Sequence, residues 1–153
     1  MASPVSAPVD REAMARALRL AARGRYTTTP NPAVGCVLMR DGGILAEGWH
    51  RRAGGPHAEI EALSRVDGRA HGATAYVTLE PCSHHGLTGP CTDALIAAGI
   101  TRVVAAMEDP NPEVAGAGLA KLRAAGVDVS VGLMRDQARA LNRGFISRME
   151  SGK

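Results

Sequence analysis

Aromatic side chains are almost missing from this chain: one Trp, one Phe and two Tyr among 153 residues. A core must then be built from Ala, Val, Leu and Ile, and the base-stacking platforms that hold single-stranded nucleic acid are nearly absent. Clustered cations are missing as well. The net charge is only +3, with no dense Lys/Arg run, which argues against a nucleic-acid partner and fits a phosphorylated small molecule. No stretch approaches the length of a membrane-spanning helix. The opening residues Met1 to Val9 lack the basic and apolar segments of a secretion signal, and their Pro, Ala and Ser content reads as a flexible tail. Cysteines number three, too few for a disulfide scaffold, and two of them stand at metal-ligand spacing, which points to a reducing compartment, the cytoplasm. What remains, residues 10–153, has the length of one soluble domain, and the chain as a whole is 45% hydrophobic and 22% charged.

Within that domain, His57-Ala58-Glu59 is followed by Pro81-Cys82 and, after eight residues, by Cys91. One imidazole and two thiolates offer three ligands to zinc and leave the fourth corner for water, the arrangement that separates a catalytic zinc from a closed structural one. With both thiolates ionised the ligands cancel the formal charge of the metal, so the water is less acidic than at an all-histidine site and a carboxylate base is needed. Glu59, within one helical turn of His57, supplies it, taking a proton from the water and later delivering one to a leaving amine. This order of motifs is the general signature of zinc nucleobase deaminases. A competing arrangement puts His84 or His85 in the fourth corner and makes the site structural, but it leaves Glu59 without a task. Cys36 sits in a strand pattern as a small core residue, and His71 among Gly and Arg reads as surface.

Apolar spacing predicts a helix opened by Asp10 as N-cap and stopped near Gly24. A proline-stiffened loop around Asn31 leads to strands over 33–40 and 44–49, joined by the turn Asp41-Gly42-Gly43 as an antiparallel hairpin. Beyond it, helices are predicted over 57–66, 91–99, 119–125 and 136–149, and strands over 73–79, 101–107 and 127–131. Strands alternating with helices imply a mostly parallel five-stranded sheet covered on both faces, a three-layer α/β/α fold. Both metal-binding segments then join a strand to the next helix, where ligands gather in such sheets.

Taken together, Pro30-Asn31-Pro32-Ala33-Val34-Gly35, Gly48-Trp49-His50, His57-Ala58-Glu59, Glu80-Pro81-Cys82-Ser83-His84, Asp109-Pro110-Asn111-Pro112 and Leu141-Asn142-Arg143-Gly144-Phe145 resemble the deaminase domain of the bifunctional riboflavin-biosynthesis deaminase/reductase. The resemblance covers nearly the whole chain beyond the tail. It implies a cytidine-deaminase-like fold, zinc, a homo-oligomer, and hydrolysis of 2,5-diamino-6-(5-phosphoribosylamino)pyrimidin-4(3H)-one to its 5-aminouracil counterpart and ammonia. It also implies that Asn31, His50, Asp109 and Asn111 hold the pyrimidine, ribose or phosphate, although turn formation alone would account for Asn31 and Asp109 among their prolines.

Two departures bear on these expectations. Leu87-Thr88-Gly89-Pro90-Cys91 stands where the family carries Lys or Arg followed by Thr-Pro-Pro-Cys, so a substrate cation is lost unless Arg51, Arg52 or another replaces it. No segment after Asn142-Arg143-Gly144-Phe145 is long enough for the reductase domain, and none is expected here. A different aminopyrimidine or purine substrate is the second enzymatic reading, and a zinc-stabilised interaction module the non-enzymatic one.

Overall fold

The computed structural model describes residues 7–24, 26–28, 31–83 and 90–151. Helix α1 (Pro8–Ala22) precedes strands β1 (Gly35–Arg40) and β2 (Gly43–Trp49). Helix α2 (Ala58–Ser64), strand β3 (Thr74–Val77), helix α3 (Cys91–Ala97) and strand β4 (Arg102–Ala105) come next. Helix α4 (Ala117–Ala124), strand β5 (Asp128–Val131) and helices α5 (Arg135–Leu141) and α6 (Arg143–Ser151) complete the order. These are the expected elements with their ends shifted, and the closing helix is two helices rather than one.

The sheet runs β2-β1-β3-β4-β5. β1 pairs antiparallel with both of its neighbours, β2 and β3, whereas β3–β4 and β4–β5 are parallel. Four strands therefore point one way and β1 alone points back. Side chains alternate between faces, as strand geometry requires. Cys36, Leu38, Ala75, Val77 and Val103 pack with Ala62, Leu95 and Leu122 of α2, α3 and α4. Val37, Tyr76 and Val104 pack on the other face with Met14, Ala17 and Leu20 of α1 and Ala138 and Ile146 of α5 and α6. The result is helix, sheet, helix. At Gly48 the fit of α2 onto β2 leaves no room for a side chain, because a Cβ there would lie 2.5 Å from the Ala58 carbonyl oxygen. This close approach anchors the start of the helix that carries His57 and Glu59.

The beginning of the chain differs from expectation. Pro8 and Val9, assigned to the tail on composition, are the first residues of α1, where a proline sacrifices no hydrogen bond. Asp10 does not cap the helix; Ala7 is the N-cap, with no side-chain cap bond. Asp10 points into the protein, 1% exposed, where Arg102 grips both carboxylate oxygens at 2.9 and 3.2 Å and the Tyr76 hydroxyl donates to it. Burial alone would raise the Asp10 carboxyl, but the bonds from Arg102 and Tyr76 and the Arg102 charge outweigh it and hold the group below its ordinary value of 3.8. A carboxyl depressed by folding contributes stability that is present above its unfolded pKa and lost as pH falls through its folded one. Asp10→Asn is therefore expected to cost about 3 kcal/mol at neutral pH, by removing the negative charge that grips a mostly buried guanidinium, and to flatten the fall in stability below about pH 4. Urea unfolding midpoints across pH check both.

Asn142 divides the closing helix. Its side-chain oxygen accepts the Ala33 N–H at 2.7 Å and its amide donates to the Ala33 carbonyl at 2.8 Å, which ties the α5–α6 junction to the segment entering β1.

Candidate active site

Because β1 runs against the others, its N-terminal end lies at the same sheet edge as the C-terminal ends of β2, β3 and β4. Four segments converge there: Asn31–Val34 before β1, His50 after β2, Leu79–Cys82 after β3 and Asp109 after β4. A cavity of about 230 Å³ opens between them, lined by Asn31, His50, His57, Glu59, Cys82 and Asp109, with Leu79, Glu80 and Phe145 among its further walls. His57, Cys82 and Cys91 stand together with their ligand atoms within 4.8 Å of one another.

The two cysteines and the histidine meet because both helices start here. His57 is the N-cap of α2 and makes no side-chain cap bond, so its ring is available. Cys91 is the first residue of α3, and its backbone N–H points at the Cys82 sulfur at 3.3 Å. His57 Nδ1 lies 3.3 Å from Cys91 Sγ and 3.8 Å from Cys82 Sγ. Zn–N near 2.0–2.1 Å and Zn–S near 2.3 Å in a tetrahedron require N···S separations of about 3.6 Å, so the donor set fits zinc in both type and spacing. Among the described residues no fourth His, Cys, Asp or Glu joins the group. His84, His85, Leu87 and Gly89 lie outside the described residues.

With protons in place of a cation, the cluster shares them unevenly. The hydrogen bond from Cys91 draws the Cys82 thiol well below its ordinary range, while that same bond, with burial, pushes Cys91 up. A divalent ion bound here would displace these protons, so metal uptake releases acid. Glu59, in the first turn of α2, is 3% exposed, and burial raises its carboxyl to about 7. A nearby cation would pull it back toward the anion.

Around this centre, His50 is buried and its tautomer is determined. Nδ1–H donates to the Pro56 carbonyl at 2.9 Å, leaving Nε2 toward the Asn31 amide nitrogen at 3.4 Å. Its ring meets that of His57 edge-on at 5.5 Å. Asp109 faces the cavity, and its Oδ1 accepts the Asn111 N–H at 2.9 Å. Asn111 does not line the cavity; its side-chain oxygen accepts the Glu113 N–H at 3.1 Å and shapes the turn. Arg51 is also away from the cavity, stacked 3.9 Å over Trp49 and paired with Glu61, and Arg52 does not reach it either. Cys36 is fully buried in the core.

Glu80 is the residue that sequence reasoning passed over. It was legible only as part of a matching motif, with no role attached. Buried to 6% exposure, it accepts the N–H groups of Asp109 and Gly116 on one oxygen and of Gly118 and Leu119 on the other, at 2.8–3.2 Å. The loop carrying Asp109 is thereby folded onto the segment carrying Cys82, and Gly118 sits so close to the Pro81 carbonyl that a Cβ would lie 2.0 Å from it. Glu80→Gln replaces one acceptor oxygen by a donor and sets N–H against N–H. It is expected to cost about 3 kcal/mol in denaturant unfolding and to raise KM by loosening Asp109.

Residues 8–107 match the family model described as the cytidine and deoxycytidylate deaminase zinc-binding region. The chain is 64% identical over 143 residues to riboflavin biosynthesis protein RibD of Escherichia coli, covering 94% of this chain and 39% of that protein. It is 48% identical over 143 residues to the diaminohydroxyphosphoribosylamino-pyrimidine deaminase of Buchnera aphidicola subsp. Schizaphis graminum, covering 94% of this chain and 97% of that one. Among solved structures, RibD of Acinetobacter baumannii superposes with a TM-score of 0.92 at 50% identity, over 94% of this chain and 41% of that chain. The chain thus spans about two fifths of the length of the longer relatives.

Proposed function

We propose that this chain, which belongs to the cytidine and deoxycytidylate deaminase family and within it to the diaminohydroxyphosphoribosylaminopyrimidine deaminases, acts in riboflavin biosynthesis. Its reaction is hydrolysis of 2,5-diamino-6-(5-phosphoribosylamino)pyrimidin-4(3H)-one to 5-amino-6-(5-phosphoribosylamino)uracil and ammonia. The observation that carries this reading is a buried carboxyl, Glu59, in one cavity with Asn31, His50, Asp109, His57 and Cys82, where His57 and Cys82 join Cys91 in a nitrogen and two sulfurs spaced for zinc.

His57 Nδ1, Cys82 Sγ and Cys91 Sγ are the residues that would hold zinc, and zinc bound there supplies a Lewis acid that lowers the pKa of water toward about 7. The chain's own residues do the rest. Glu59 takes a proton as the hydroxyl adds to the amine-bearing ring carbon and passes it to the ring nitrogen. A second proton goes to the amine, the C–N bond breaks, and ammonia leaves as the carbonyl forms, so one water enters for each ammonia released. Asn31 and His50 grip the substrate as a hydrogen-bonded pair whose geometry the Pro56 carbonyl fixes. Asp109 accepts from the pyrimidine or ribose, and Asn111, whose N–H it also accepts, serves by positioning it.

Three free thiols, two of them needed as metal ligands, support a reducing compartment, and the cytoplasm is the location proposed. Among the described residues no helix is long and apolar enough to cross a membrane. The partner is a small molecule rather than nucleic acid, given four aromatic residues in the whole sequence. A homo-oligomer is expected on light scattering.

Ammonia release tests the function. The phosphoribosylaminopyrimidine should be turned over, with chelator abolishing activity and zinc restoring it, while cytidine and guanine should give no more than background. Turnover of a free base in preference would establish the second reading, a different aminopyrimidine or purine, which Leu87, four residues before Cys91 in the sequence, favours.

A further inference from the structure

We infer that Asn142, at the junction of α5 and α6, is a positioning residue of the deaminase site: through Ala33 it holds Asn31 in place beside His50, an assignment that rests on the reaction proposed above. Asn142 and Phe145 lie beyond the zinc-binding region at residues 8–107, so this support comes from the last two helices.

Asn31 depends on such support because its own segment has little regular structure. Residues 31–34 belong to no helix or strand, and Pro32 has no N–H to donate. On one side of the segment the Asn31 N–H donates to the Thr28 carbonyl at 2.6 Å, and the Thr28 hydroxyl donates to the Asn31 carbonyl at 3.2 Å. On the other side Ala33 is buried, where both of its peptide groups have to be paired. Asn142 pairs both, accepting the Ala33 N–H at 2.7 Å and donating to the Ala33 carbonyl at 2.8 Å. One side chain thus does what a neighbouring strand would do, two residues from Asn31. Only an amide offers one acceptor and one donor at this length; an ionised Asp offers acceptors alone.

The clamped segment also carries His50. The Val34 carbonyl accepts the His50 N–H at 3.0 Å, so both partners of the Asn31–His50 pair are tied to residues 31–34. Asn142 sets a further wall as well. Its own carbonyl accepts the Ile146 N–H at 2.9 Å in the first turn of α6, which carries Phe145 into the cavity beside Asn31, Pro32 and Val34. Glu59 and the metal ligands, by contrast, stand at the starts of α2 and α3 and at the end of β3. Loss of the clamp therefore disturbs how the substrate is held and leaves the proton carrier and the metal centre where they are.

A double-mutant cycle in steady-state kinetics on the phosphoribosylaminopyrimidine tests the assignment. Asn142→Ala is expected to raise KM about tenfold, with kcat within about twofold of wild type, because two buried hydrogen bonds to a substrate-holding segment are lost and the reacting groups are not. Zinc content should be unchanged. In an Asn31→Ala background the same substitution should move KM by less than about twofold, since a positioning residue has no effect once the group it positions is gone. Asn142→Asp, which keeps the size and the acceptor for the Ala33 N–H, carries the same cycle if the alanine variant does not fold. An unchanged KM in Asn142→Ala, or equal increases in both backgrounds, overturns the assignment and leaves the deaminase reading standing. Loss of zinc from both Asn142 variants also overturns it, by making Asn142 a support of the fold alone. Absence of turnover by the wild-type protein overturns the deaminase reading and the assignment with it.

Discussion

Glu59→Gln is expected to lower turnover by about 10²- to 10⁴-fold while zinc content and the unfolding midpoint stay close to wild type. The substitution keeps shape and burial and removes only the ability to carry a proton. Glu59 is one residue from the α2 N-cap, 3% exposed, and its carboxyl is raised to about 7 by burial, so its environment favours uptake and return of a proton near neutrality. A carboxylate at its ordinary value would be a weaker base toward water. Metal content by elemental analysis and single-turnover ammonia release separate the outcomes. Loss of zinc together with activity would make Glu59 a support for the metal, and near-normal turnover with zinc retained would remove it from the reaction.

Cys91→Ser is expected to reduce zinc affinity by more than about 100-fold and to bring ammonia release down to background. Even an outer-shell partner of a metal ligand is worth about 10- to 100-fold in affinity, and a direct sulfur ligand counts for more. Cys91 is fully buried, 3.3 Å from His57 Nδ1, so neither solvent nor, among the described residues, another His, Cys, Asp or Glu stands ready to take its place. Cys36→Ala is the comparison variant. Cys36 is equally buried but outside the cluster, so that change should cost about 1 kcal/mol of stability through a small cavity and leave zinc bound. Zinc retained by Cys91→Ser, or lost from Cys36→Ala, would reassign the metal centre.

The pattern of residues carried the chemistry further than it carried the architecture. His57, Cys82 and Cys91 were readable because zinc accepts few donor types, and Glu59 because a carboxylate two residues from a ligand stays within one helical turn. Glu80 was not readable as more than motif, since a buried carboxylate that gathers four backbone N–H groups leaves no mark on periodicity. Asp10 misled for the opposite reason. Its position before an apolar repeat is that of a cap, and only the distant Arg102 and Tyr76 turn it inward. Asn142 lies inside an unbroken helical pattern, and its bonds to Ala33 come from a segment 109 residues away.

By itself the sequence determined which atoms meet the metal and the proton, the five strands and the helices between them, because local spacing and side-chain chemistry act over a few residues. Only the tertiary structure decided that β1 runs against β3 as well as against its hairpin partner β2, and with it that Asn31 and His50 share an edge with Glu59, Cys82 and Asp109. Strand direction within a sheet is settled by long-range pairing and by the burial of two faces at once, and no stretch of chain read alone contains that information.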